Sequence, residues 1–154
     1  MKNKHFEDPE LVKAIIDKCN VCYIGMVDHS NKPYVLPFNF AYDQQTVYLH
    51  SASEGKKIRI LKEHPDVCIA FSTDHQLFFR NEEVACSYGM KYRSALVYGK
   101  VEFVEDFDEK VKVLNLVMMK YTGKEFPYSP PAVNNVCVYK VVAERIEGKE
   151  SQYS

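Results

Sequence analysis

Residues 47–61, VYLHSASEGKKIRIL, bring His50, Ser51, Ser53, Gly55, Lys56 and Lys57 together within eight positions. The first half has the β-branched and aromatic enrichment of a strand, and the second half spaces Ile58 and Leu61 as on one face of a helix. A strand running into a helix N-terminus presents unpaired backbone N–H groups and a partial positive charge. Ser51 and Ser53 add hydroxyl donors, Gly55 lets the backbone come close, and Lys56 and Lys57 bring full charges to the first turn. Lysines there oppose the helix macrodipole unless something negative lies between them and it. The pattern suits a phosphate. On composition alone, two solvated lysines on an exposed turn are an equally good reading.

The elements that must position these groups follow from periodicity and turn chemistry. Asp8 before Pro9 predicts an N-cap and a helix over 8–18, with Leu11, Val12, Ile15 and Ile16 at helical spacing. Strand runs at 21–27, 33–42 and 46–52, separated by the turns DHSNK and DQQ, predict a three-strand meander. Pro37 cannot donate to a ladder, so its side of the second run is an edge, a bulge or a ligand. The helix after the third strand stops at His64-Pro65. Strands are then expected over 67–73, weakly over 76–88, and over 92–105. Asp106 with Glu109 forms a capping box that opens a helix with Val111, Leu114, Val117 and Met118 inward. A proline-broken loop, TGKEFPYSPPAVNN, precedes a last strand, VCVYKVVAERI. The expected fold is mainly β (α+β), an antiparallel barrel with peripheral helices in a single domain spanning 1–154.

The formal net charge of −1 and a pI near 6.5 give no global field for nucleic acid or anionic lipid, so any anion site is local. No segment approaches the roughly 18 uncharged residues of a membrane span, and the first residues carry no apolar secretion signal, so a cytoplasmic location is expected. Five cysteines at irregular spacing argue against a disulfide framework. CNVC (19–22) has redox or zinc-knuckle spacing, yet no second pair completes four ligands, and packed thiols are the favoured reading.

GKKIRILKEHP (55–65) resembles the phosphate-holding run of the FMN-binding split β-barrel proteins related to pyridoxamine phosphate oxidase, S-R-K-x-x-x-L followed by proline. Gly55 stands for the serine, Lys56 for the arginine, and Lys57 matches the family lysine. PYVLPFNFAYD (33–43) is similar to the family strand beside the isoalloxazine ring. YRSALVYGKVEFVE resembles R-Q-V-R-x-x-G-x-V-E, placing Arg93 and Ser94 where flavin contacts are expected. The text PYVLPFNFAYD…VYLHSA…GKKI is closest to the nitroimidazole-resistance branch. The tryptophan and Arg-Leu pair with which pyridoxamine phosphate oxidases grip their substrate are missing from this sequence.

The resemblance implies an FMN (or FAD) cofactor with its phosphate on Lys56 and Lys57, its ring against Val35, Leu36, Pro37 and Phe38, and its polar edge near Asn39. His50, Ser51 and Ala52 line the strand end beside it, and His50 is the candidate to orient or protonate substrate. A histidine satisfied by a neighbouring carbonyl is an equal alternative. The implied activity is reduction of a small electrophilic organic molecule, a nitroaromatic being one candidate, by a homodimer with shared flavin sites. A non-catalytic flavin- or haem-binding module is the alternative, and a metal site at Cys19 and Cys22 is a third. Tyr88, Tyr92 and Tyr98 could line a pocket but read more simply as core or interface residues.

Overall fold

The run expected as one strand over 33–42 breaks at Asn39 and Phe40, and the break organises the architecture. In the computed structural model, which describes residues 2–153, the chain begins with Asn3–Phe6 (β1) and the helix Pro9–Asp17 (α1). The strand Cys22–Val27 (β2) pairs antiparallel with Pro33–Phe38 (β3), from Cys22 opposite Phe38 to Val27 opposite Pro33. Beyond the break, Ala41–Asp43 (β4) pairs instead with Thr46–Ala52 (β5). The helix Lys56–Glu63 (α2) follows, then Asp66–Phe78 (β6), Gly89–Val104 (β7), the helices Phe107–Thr122 (α3) and Pro130–Asn134 (α4), and finally Val136–Val142 (β8) and Arg145–Ser151 (β9).

The hydrogen-bonded order is β3-β2-β6-β7-β8-β5-β4, so β3 and β4 lie at opposite ends of the sheet although only two residues join them. A link that short reaches no more than about 11 Å, which obliges the sheet to curl until its ends meet. The three-strand meander is therefore replaced by two hairpin halves at opposite ends of one rolled antiparallel sheet. Phe40 turns fully inward at the break and meets Phe71 edge to face at 5.1 Å, while its N–H donates to the Tyr121 hydroxyl at 3.2 Å.

Other departures from expectation have equally local causes. β6 continues through Phe78 because a bulge absorbs the irregularity after Thr73: Asp74 and His75 together face one residue, and Asp74 takes a left-handed φ of 57°. Residues 79–88, expected as a weak strand, form a loop with a single 3₁₀ turn at Ala85–Ser87. The expected last strand divides into β8 and β9 at Ala143 and Glu144, whose N–H groups donate to the carbonyls of Gln45 and Tyr98. The segment 145–151 pairs with β1, a strand too short and polar to show a pattern. The proline-rich loop contains α4, capped by Ser129.

The caps expected from sequence are in place: the Asp8 carboxylate accepts from the N–H groups of Glu10 and Leu11, and Asp106 accepts from Glu109. In α3 it is Val113, not Val111, that is buried with Leu114 and Val117. The main core fills the barrel with Ile24, Leu49, Ile60, Ile69, Val97 and Tyr139, all fully buried, and a second cluster of Val104, Val113, Leu114, Val133 and Val138 lies under α3 and α4.

β7 changes partner along its length, pairing with β9 over Tyr92–Tyr98 and with β8 over Val101–Val104. Gly99 sits at the switch, where an added Cβ would lie 2.6 Å from the Val142 carbonyl oxygen and 2.7 Å from Val141 Cγ1. Because one of those contacts is backbone, Gly99→Ala should destabilise the fold by about 1–3 kcal/mol. At about 2–4 °C per kcal/mol, calorimetry should show Tm lower by several degrees, and an unchanged Tm would contradict this account of the switch.

Candidate functional site

Gly55 precedes α2 with φ 128°, a conformation L side chains rarely adopt, and open space lies where a Cβ would project. No side chain caps the helix and no acidic residue occupies its first turn, so no capping side chain meets its leading N–H groups. Lys56 Nζ lies 4.3 Å from the centre of the Tyr34 ring, and Lys57 Nζ lies 5.3 Å from that of Phe38. Neither ammonium is ion-paired with any carboxylate among the described residues. The aromatic faces hold the lysines beside the helix start with their charge unneutralised.

From Lys57 the contacts continue inward. Phe38 meets Tyr139 edge-on at 6.3 Å, and the Tyr139 hydroxyl donates to Ser51 Oγ at 3.1 Å. Burial pushes the Tyr139 phenol up to about 12, so it remains a neutral donor. Ser51 thus shares the barrel-side face of β5 with Leu49, and Ala52 and Ser53 are exposed at the strand end. Strand alternation sends His50 to the other face with Tyr48, opposite Val138 of the α3–α4 cluster. Burial holds its imidazole below the ordinary 6.5, leaving it neutral at pH 7.

Alternation also divides the expected ring-binding run. Phe38 and Leu36 turn toward the core, whereas Val35 and Pro37 face outward, so no single surface displays all four side chains. Asn39 is spent locally, its Nδ2 donating to the Asn20 carbonyl, which also accepts from the Tyr121 hydroxyl at 2.7 Å. Pro37 does lie on a sheet edge, since β3 pairs only with β2.

Arg93 and Ser94 sit on the first half of β7 and project to opposite faces. Arg93 turns toward α1, where Nε donates to Glu150 at 2.8 Å, Nη1 donates to Asp74 at 2.7 Å, and the Tyr153 ring stacks 4.0 Å away. Lys18 and Arg93 hold the Asp74 carboxyl below its usual range. Ser94 faces outward with Leu96 and Tyr98. Across the ladder these meet Ala70 and Cys68, then Tyr23, Gly25, Val35 and Pro37, an apolar outer face on which Val35 is 59% and Tyr23 51% exposed. The structure therefore groups Lys56, Lys57, Ser51 and Ala52 at one end of β5–α2 and leaves Arg93 and Ser94 elsewhere in the same chain.

Cys19 and Cys22 are buried core residues. Loss of solvent pushes both thiols up, Cys22 to about 12, and Cys19 Sγ donates to the carbonyls of Ile15 and Ser72. Tyr34, Tyr139, Asp74 and Glu150 went unrecognised in the sequence. Tyr139 could have been found from the β5–β8 register opposite Leu49, but the other three depend on tertiary contacts.

The family model for pyridoxamine 5'-phosphate oxidase matches residues 8–150. A crystal structure described as a candidate 5-nitroimidazole antibiotic resistance protein from Bacteroides thetaiotaomicron is 43% identical, covering 97% of this chain and 87% of that one, with a TM-score of 0.87. The flavocytochrome Anf3 of Azotobacter vinelandii is 23% identical over 97% of this chain and 70% of its own, with a TM-score of 0.83. An FAD- and haem-binding protein of Mycobacterium smegmatis is 17% identical over 97% and 74%, with a TM-score of 0.80. At those identities the last two show the fold alone, an antiparallel split β-barrel with peripheral helices. No curated protein matches the chain.

His50 yields a pH prediction. With its folded-state pKa below the unfolded value of 6.5, the unfolded chain binds the proton more readily, and stability falls as pH drops from about 6.5 through the lower folded value. His50→Gln should flatten this acid-side loss in melts recorded between about pH 7 and 5. An unchanged slope would place the titrating group elsewhere.

Proposed function

The chain belongs to the pyridoxamine 5'-phosphate oxidase family, and from that membership we propose that it is an FMN-dependent oxidoreductase acting on a small electrophilic organic substrate. A nitroaromatic such as a nitroimidazole is the substrate class suggested by the relative at 43% identity. The observation that carries the cofactor reading is the N-terminus of α2, with two unpaired ammonium groups, uncapped N–H groups and open space above Gly55. This donor set fits a phosphate monoester: Lys57 and Lys56 would hold its charge, and the backbone N–H groups its oxygens.

A bound flavin supplies the redox chemistry itself. What remains for the chain is to bind it, cover it and orient a substrate. Val35 and Pro37 on the outer face of β3 would carry the ring, while Leu36 and Phe38 anchor that strand in the core. His50, neutral at pH 7, would donate one N–H hydrogen bond to a substrate entering from the α3–α4 side.

The apolar outer face of β3, β2, β6 and β7 supports a homodimer with the flavin between copies. An exposed sheet surface of this character marks an association site. Ser94 lies on that face and is the partner-side contact we assign; Arg93 points the other way and serves to fix β7 to β9 and the bulge. Among the described residues no helix is long and apolar enough to cross a membrane, and all five cysteines are free, which supports a reducing, cytoplasmic setting.

The test of activity is optical. The isolated protein should be yellow, bleach with NAD(P)H and recolour with a nitroaromatic; a colourless protein that takes up neither FMN nor FAD would end the proposal. Titration should show FMN affinity falling roughly tenfold to a hundredfold in Lys57→Ala, with less loss in Lys56→Ala, because each charge-assisted phosphate contact contributes about 1.5–3 kcal/mol. His50→Ala should by contrast keep the colour and slow substrate reduction by roughly twofold to tenfold, the worth of one neutral hydrogen bond. Unchanged affinity in the double lysine variant would move the phosphate elsewhere.

The shared-site arrangement is tested by placing a charge in the apolar face. Light scattering should find wild type dimeric and Tyr23→Asp/Leu96→Asp monomeric, with flavin affinity lost alongside. A monomer that binds FMN at full affinity would exclude a site built from two copies.

A further inference from the structure

We infer that His29, Glu63 and His64 form a surface site for a divalent transition-metal ion of the zinc class. One ligand atom from each residue lies within 4.8 Å of the others. His29 Nδ1 is 2.6 Å from a Glu63 carboxylate oxygen, and the two imidazole rings stand 6.4 Å apart, tilted by 44°. Two elements distant in sequence supply the set: His29 comes from the turn between β2 and β3, and Glu63 and His64 come from the end of α2.

Both supports are fixed by their own backbone bonds. The Asp28 N–H donates to the Lys32 carbonyl at 2.9 Å, and the Asp28 carboxylate accepts from the N–H groups of Ser30 and Lys32, each at 2.9 Å. The His64 N–H closes the last turn of α2 on the Ile60 carbonyl at 2.7 Å. Both of those bonds fall on Asp28 Oδ1, and the groups that converge are two imidazole nitrogens and the Glu63 carboxylate. That set suits Zn²⁺, Ni²⁺ or Cu²⁺ over Ca²⁺ and Mg²⁺, which take oxygen ligands. Bonds of about 2.0–2.2 Å put tetrahedral ligand atoms roughly 3.3 Å apart. All three side chains are exposed, so rotation about their own bonds is the adjustment the site would need, and water would complete the coordination. The simpler alternative is a solvated His29–Glu63 pair, which does not account for the convergence of His64 on the same point.

A metal here would tie the β2–β3 turn to the far end of the helix whose first turn carries Lys56 and Lys57. It would not touch those lysines, so the site stands or falls independently of the flavin proposal.

The test is calorimetric titration of the chelator-stripped full-length protein with ZnCl₂. One equivalent is expected to bind, with MgCl₂ and CaCl₂ giving no heat. His29→Ala and His64→Ala should each weaken binding at least tenfold while melting like wild type without metal. Cys86→Ser, which removes the exposed thiol, should bind unchanged. Cobalt in place of zinc should give visible d–d bands and no thiolate charge-transfer band. Absence of binding, binding that survives both histidine substitutions, or binding lost in Cys86→Ser would overturn the assignment.

Discussion

The two-residue link at Asn39–Phe40 is the constraint on which the rest of the architecture hangs. A chain that hydrogen-bonds β3 to one end of a sheet and β4 to the other cannot stay flat, and the curl encloses the core around Tyr139 and Phe71. The link is held from outside as well. Phe40 buries its ring while α3 reaches across with Tyr121, whose hydroxyl accepts from Phe40 N–H and donates to the Asn20 carbonyl. Lys120 lies 4.6 Å over the Phe40 ring, and burial lowers its affinity for a proton. The residues that close the barrel are therefore the same ones that dock α3.

The same curl creates the candidate site. The end of β3 comes beside the end of β5 and the start of α2, so that Phe38 can bridge Lys57 to Tyr139 and through it Ser51. An uncapped helix start beside two lysines is electrostatically unfavourable in an isolated domain, because the charges and the macrodipole repel. The barrel core, with Ile58, Ile60 and Leu61 of α2 fully embedded, offsets that penalty. Local unfavourable electrostatics carried by a well-packed scaffold is the usual signature of a binding surface.

Local signals in the sequence were legible where chemistry and position coincide. Asp8-Pro9, Asp106 with Glu109, and the strand-to-helix transition at Gly55 all specify backbone hydrogen bonds within a few residues, and all appear in the structure. Long-range partners were not legible. Nothing in PYVLPFNFAY reveals that its two halves pair with different strands, since both are equally apolar and aromatic. Splitting the last run at Ala143 depends on the carbonyls of Gln45 and Tyr98, and the bulge at Asp74 on Lys18 and Arg93. In the site, the placement of Lys56 and Lys57 in the first turn of α2 was readable from one helix turn. The facing of His50 against Ser51, and of Val35 against Leu36, depends on which side of each strand the curled sheet encloses. The predicted run of four ring contacts treated as one surface what the pleat divides into two.

Pro33 and Pro37 occupy alternate positions on β3, the same parity as Val35, and β3 has a neighbour on only one side. Proline is tolerated where its missing N–H would have pointed away from the ladder. Of three donors along that open edge, two are thus deleted, and only Val35 retains one. A bare edge flanking an apolar sheet is a template for runaway strand addition and fibrillar aggregation. With its donors thinned to one, β3 is a poor template for a growing fibril. A newly made chain therefore offers others like itself little to add to in an insoluble stack.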